Sequence, residues 1–165
     1  MDIDQTVFQV KAVRMRQHFL FNLLNFQYFR KSEYEDRFQY KGHLSSFLIV
    51  IPYVLFSELY FFRQHRFFVI LKRQTVGLFA LQERAKTLYI SSLAVSQSHR
   101  KIGVATYMLN YTMLIAKQLG EGALELSVLK TNLPALRLYK KSGFKKKKDK
   151  TRSFILRKDL EKVVK

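Results

Sequence analysis

At 165 residues and 19.6 kDa the chain has the length of one domain, with room for a core that needs no disulfide or metal to hold it. It has no cysteine, which excludes disulfides, thiolate metal sites and a cysteine nucleophile, and its four histidines show no metal-ligand spacing, so no metal is expected. Composition (48% apolar, 25% charged) excludes a disordered chain, and the formal charge of +18 predicts anionic partners: nucleic acid, acidic lipid or a phosphate-rich cofactor.

The first four residues, Met1-Asp2-Ile3-Asp4, are acidic where a secretory signal is basic, so a cytoplasmic protein is expected. Residues 7–13 alternate, with Phe8, Val10 and Ala12 on one face, and predict a first strand. Residues 16–30 set Phe19, Leu23 and Phe26 at helical spacing, and Ser32 with Glu35 forms a capping-box pair that opens a further helix or turn. Residues 47–62 are almost wholly apolar. At sixteen residues, with Pro52, Ser57 and Glu58 inside, the run falls short of the roughly 20 a membrane span needs and reads as a buried helix or apolar groove. Pro52 suits the first turn of a helix reaching about Arg63.

Residues 67–72 and 76–82 predict a hairpin across the polar turn at 73–75, and 88–95 a further strand. Residues 104–119 form an amphipathic helix with Ala105, Met108, Thr112, Ile115 and Leu119 along one side and Gly120 at its C-cap. Residues 123–129 alternate, Pro134 opens a short helix to Ser142 closed by Gly143, and 144–148 with 152–157 make a last hairpin. This order predicts a mixed α/β (α+β) fold with neighbouring hairpins, in a single domain over 1–165.

Chemistry concentrates in residues 88–106. A β-rich run ends at Val95, a polar loop follows, and Arg100-Lys101-Ile102-Gly103-Val104-Ala105-Thr106 opens a helix. The first amides of a helix lack intrahelical partners and carry partial positive charge, and Gly103 and Ala105 leave room for a diphosphate to reach the main chain. Arg100 and Lys101 add cationic side chains at the mouth. The spacing is neither the nucleoside-triphosphate loop nor the dinucleotide fingerprint. An ordinary tight connection explains this segment as well, until a second one is considered: a strand leading to Asn132, then a short helix with Tyr139, then Gly143-Phe144.

Together the two segments resemble the GNAT-type N-acetyltransferase superfamily. Its acetyl-CoA loop, [Q/R]-x-x-G-x-[G/A], is met by Arg100, Gly103 and Ala105, after a strand ending Leu93-Ala94-Val95; its later signature is met by Asn132, Ala135, Leu138-Tyr139, Gly143 and Phe144. The clear resemblance covers about residues 67–158. It implies a central, mostly antiparallel twisted sheet, splayed between two central parallel strands and flanked by about four helices. It further implies that the amides from Arg100, Lys101, Ile102 and Gly103 to Val104, Ala105 and Thr106 hold the CoA diphosphate. Leu93, Ala94 and Val95 would bind the pantetheine arm and polarise the thioester carbonyl, and Asn132 would bond near the same arm. Tyr139 would be the general acid protonating the CoA thiolate, a transfer suited to a phenol of pKa about 10. The implied reaction is transfer of acetyl from acetyl-CoA to a primary amine by direct attack in a ternary complex.

The chain departs from the family at the base. The strand Leu88-Tyr89-Ile90-Ser91-Ser92-Leu93-Ala94-Val95 has no acid or imidazole, leaving Glu83, Glu58 or water ordered by Ser91 or Ser92 as candidates. The aromatic N-terminal region is where the family shapes its acceptor site, so either an acceptor with a hydrophobic portion or a partner helix docking there is expected; a homodimer is a further expectation. The lysines at 145–148 should alternate faces in a strand, so they read first as a solvated edge and second as a patch for an acidic partner. Nucleic acid is expected to bind only non-specifically, through charge. A non-catalytic CoA- or RNA-binding protein of the same fold is the alternative.

Overall fold

Alternating and apolar runs in this chain pair into one sheet. The computed structural model describes residues 8–13, Gln17, Leu20, Phe21, Leu24 and 64–161. Seven strands, β1 (Gln9–Ala12), β2 (Gln64–Leu71), β3 (Gln74–Arg84), β4 (Thr87–Val95), β5 (Ala123–Leu129), β6 (Lys145–Asp149) and β7 (Ser153–Asp159), lie in the order β1-β2-β3-β4-β5-β7-β6. Neighbours are antiparallel except β4 and β5. Two α-helices, α1 (Val104–Gln118) and α2 (Leu133–Lys141), complete the main elements, and Leu20, Phe21 and Leu24 are also helical. The seven-stranded mixed sheet agrees with the expected fold. Two of the expected helices are described in full and Leu20, Phe21 and Leu24 fall in the segment predicted at 16–30; the helix or turn opening at Ser32 and the helix from Pro52 to about Arg63 lie outside the described residues.

Both sheet faces are covered around β3, as its unbroken apolar run requires. Phe79 and Leu81 join Val104, Met108 and Leu109 of α1 and Tyr139 of α2 in the main core. Leu78, Ala80, Phe68 and Ala94 meet Phe21 and Leu24 on the opposite face. The buried residues of α1 are Val104, Met108, Leu109, Thr112 and Ala116, a stripe set slightly round from the one predicted. Leu119, expected inside, is 48% exposed because the helix stops at Gln118. Thr112 is tolerated in the core because its hydroxyl donates to the Met108 carbonyl at 2.8 Å.

The turn between β2 and β3 places Lys72 (φ 47°) and Arg73 (φ 66°) in the left-handed region. Two positive φ values suit the twist of a two-residue hairpin, but Asn-Gly adopts them with far less strain than Lys-Arg. Replacing the pair by Lys72→Asn and Arg73→Gly is expected to stabilise the fold by about 1 kcal/mol, read as a higher urea midpoint with an unchanged slope.

Candidate active site

Two strand irregularities create the central feature. β4 pairs in parallel with β5 at Leu88–Leu124, Tyr89–Glu125 and Ile90–Leu126; beyond Ile90 the strands part. At the same point β4 carries one extra residue against β3: Ala80 faces Ser92 and Leu81 faces Ile90, leaving Ser91 as a bulge. The Ser91 hydroxyl donates to the Ala80 carbonyl at 3.1 Å and so fastens the bulge. Leu93, Ala94 and Val95 stay hydrogen-bonded to β3 while their other edge opens into the cleft towards β5.

The loop after β4 leads directly to α1. A 3-10 turn (Gln97–His99) is held by Ser96 and Ser98, whose hydroxyls lie 2.8 and 2.9 Å from His99 Nδ1. Lys101 (φ 65°) and Gly103 (φ 90°) then turn the chain into the helix. Gly103 is the N-cap, and the first helical bond runs from the Tyr107 amide to the Gly103 carbonyl at 2.9 Å. The amides of Lys101, Ile102, Gly103, Val104, Ala105 and Thr106 make no backbone hydrogen bond among the described residues, the arrangement that receives a diphosphate. Arg100 folds back, its Nε donating to the Val95 carbonyl at 3.3 Å, so it braces strand against loop; Lys101 is exposed.

Asn132 and Tyr139 belong to α2. Asn132 is the N-cap, its Oδ1 accepting from the Ala135 amide at 3.2 Å, with Pro134 in the first turn. At the other end, the Gly143 amide bonds to the Lys140 carbonyl and the Phe144 amide to the Tyr139 carbonyl, closing a Schellman motif around Gly143 at φ 83°. The accompanying apolar contact is between Tyr139 and Phe144, whose rings meet edge to face at 5.7 Å. The Tyr-x-x-x-Gly-Phe pattern therefore ends the helix and fixes the Tyr139 ring, which is 7% exposed.

The two sequence-named carboxylates are placed differently. Glu83 lies on β3 opposite Leu88, at the closed end of the cleft, exposed and 2.8 Å from His65 Nε2. Glu58 lies outside the described residues. Sequence reasoning overlooked Glu125, a buried carboxylate in register with Tyr89 at the throat where β4 and β5 part. Its Oε1 accepts from Lys147 Nζ at 2.6 Å and Arg157 Nη1 at 2.8 Å. Lys147 reaches it across β7 because it is the extra residue of a bulge between Lys146 and Lys148, which breaks the expected alternation of the lysine run. Strand alternation alone gave no sign of this.

Burial pushes the Glu125 carboxyl up, but its bonds to Lys147 and Arg157 outweigh burial and hold it below the ordinary glutamate value. A carboxyl with a depressed folded pKa stabilises the fold above its unfolded pKa, and that contribution is lost as pH falls through the folded one. Glu125→Gln is therefore expected to cost of order 2 kcal/mol at pH 7. The gap between variant and parent should close below about pH 4, as read from urea midpoints; a gap independent of pH would show that the pairing does not depend on charge.

Among the described residues no group of three or more His, Asp or Glu side chains is placed to hold a metal ion, and no helix is long and apolar enough to cross a membrane.

A parted pair of parallel strands, a loop with unspent amides beside it, and a capped tyrosine helix on the neighbouring strand define an acyltransferase architecture. The Acetyltransferase (GNAT) family model matches residues 19–144, and the chain belongs to that family. No curated protein matches the chain by sequence at a significant level. Among solved structures, the PaiA N-acetyltransferase of Thermoplasma acidophilum in complex with coenzyme A is 12% identical, with a TM-score of 0.72 over 93% of this chain and 99% of that one. The ribosomal-protein-S18-alanine N-acetyltransferase of Escherichia coli is 13% identical, with a TM-score of 0.67 over 92% and 93%. Arabidopsis thaliana Naa50, in complex with the bisubstrate analogue CoA-Ac-MVNAL, is 18% identical, with a TM-score of 0.65 over 93% and 99%. At these identities the likeness is one of fold.

Proposed function

We propose that the chain transfers acetyl from acetyl-CoA to a primary amine by direct attack in a ternary complex. The observation that carries this reading is the meeting of the unspent amides from Lys101 to Thr106 with the open edge of β4 at Leu93, Ala94 and Val95. The amides suit a diphosphate, with Lys101 adding charge; the strand edge suits the amide groups of a pantetheine arm. Asn132, its Oδ1 spent on the cap, sets the start of α2 beside the open end of β5.

Acetyl-CoA supplies the thioester carbonyl and the thiolate leaving group. As the amine nitrogen bonds to the carbonyl carbon and the C–S bond breaks, Tyr139 gives its phenolic proton to sulfur. The amine loses its own proton. Glu83 would have to take it through water from the closed end of the cleft, and Glu58 is the other carboxylate the sequence offers. β4 and β5 contribute one carboxylate, Glu125, already held by two cations. The proton therefore leaves through water in this reading, in keeping with the serines of β4. The apolar acceptor surface expected from residues 47–62 concerns positions outside the described ones.

The test is thermal unfolding with acetyl-CoA. A hundredfold excess over Kd adds about 2.7 kcal/mol, or roughly 5–10 °C for a chain of this size. A shift of that order, with thiol release on adding amines, is the expected result. No shift at millimolar acetyl-CoA overturns the reading.

A further inference from the structure

Register places a row of side chains on the sheet face turned away from α1: Lys145 on β6 lies opposite Arg157 on β7, Arg157 opposite Glu125 on β5, and Glu125 beside Tyr89 on β4. The next row outward from the throat is Lys148, Ile155 and Ser127. These rows run from the free edge of the sheet to the cleft between β4 and β5. Their acids are spent: Glu125 is held by Lys147 and Arg157, and Asp159 accepts from Arg157 Nε at 2.6 Å. The side chains of Lys145 and Lys148 are exposed and make no ion pair or hydrogen bond with any described residue. Among the described residues this half of the face thus carries four cations, Lys145, Lys147, Lys148 and Arg157, against two carboxylates already paired with them.

The opposite face is filled by α1 and α2. A donor seated at the start of α1 occupies the cleft from that side, so a second substrate meets the thioester from the face bearing the lysine rows. A cationic acceptor would cross a positive surface with no free carboxylate among its described residues, whereas an anionic acceptor is drawn in. Strands are spaced about 4.8 Å apart, which puts the β6 lysines about 10–15 Å from the cleft; an extended peptide covers that in about three to five residues.

We propose that the acceptor is an acidic polypeptide, its negative side chains about three to five residues from the acetylated nitrogen and held by Lys145 and Lys148. The proposal rests on the acetyl-transfer reading above and deepens it. The lysines that bar a second copy of β6 from this edge would then select an acidic chain.

The experiment uses three heptapeptides with a free α-amine and a lysine at position 3, ending in four Glu, four Gln or four Lys, with thiol release as the readout. The Glu peptide is expected to lead the Gln peptide by about tenfold in kcat/KM at low salt and the Lys peptide by more, with the lead collapsing at about 0.5 M salt. Lys145→Glu with Lys148→Glu should erase the lead while acetyl-CoA still raises the melting temperature. Equal turnover of the three peptides, a lead that survives the double variant, faster turnover of spermidine, or displacement of the Glu peptide by a short RNA bound at these lysines would each overturn the proposal. So would no peptide turnover in a protein that acetyl-CoA stabilises; loss of that stabilisation would instead sink the transfer reading itself.

Discussion

Gly103→Glu is expected to abolish the stabilisation by acetyl-CoA, with Kd rising at least about a hundredfold, because two effects act at one residue. Gly103 sits at φ 90°, where an L side chain costs about 1–2 kcal/mol, and its backbone is the N-cap that sets the amides proposed to hold the diphosphate. A carboxylate there also places negative charge against the phosphates and competes with them for the positive end of the helix dipole. Gly103→Ala separates the two: it keeps the strain without the charge and should lose only about tenfold. Calorimetric titration with coenzyme A distinguishes them. Equal, small losses in both variants would mean that the diphosphate does not lie on these amides.

Tyr139→Phe should lower kcat by about 10²–10⁴ while coenzyme A affinity and melting temperature barely move. The ring remains to meet Phe144, so the helix end keeps its apolar contact and the change removes the phenolic hydroxyl alone. Tyr139→Ala is a poorer test, since emptying a core position costs about 3–5 kcal/mol and mixes stability with chemistry. Single-turnover thiol release at saturating acetyl-CoA gives the comparison. An unchanged rate in Tyr139→Phe would leave the residue as a core aromatic and assign the leaving proton elsewhere.

Much of the C-terminal two thirds was legible because local signals and tertiary demands agree there. Gly143 both ends α2 and is the one residue type at ease at its φ of 83°, so the turn is visible in the letters. The same holds for β5, whose predicted range 123–129 matches Ala123–Leu129. The candidate site was legible where it is backbone, at the turn into α1 over Arg100-x-x-Gly103-x-Ala105. It was not legible where it depends on pairing across strands. The Ser91 bulge, the parting of β4 from β5 after Ile90 and the reach of Lys147 to Glu125 are relations between segments far apart in sequence. Nothing in KKKK marks its third lysine as different from the other three; the bulge does.

The parallel junction of β4 with β5 rests on three residue pairs, and among the described strands it alone joins β1 to β4 to the set β5, β7 and β6. Mechanically the sheet is two panels stitched along a short hinge line, with α1 as the strap across the back. Amide exchange should show two cooperative blocks that open separately in the free protein. A molecule lying in the gap with amides of its own would act as a surrogate strand, lengthening the stitch and making both panels open as one.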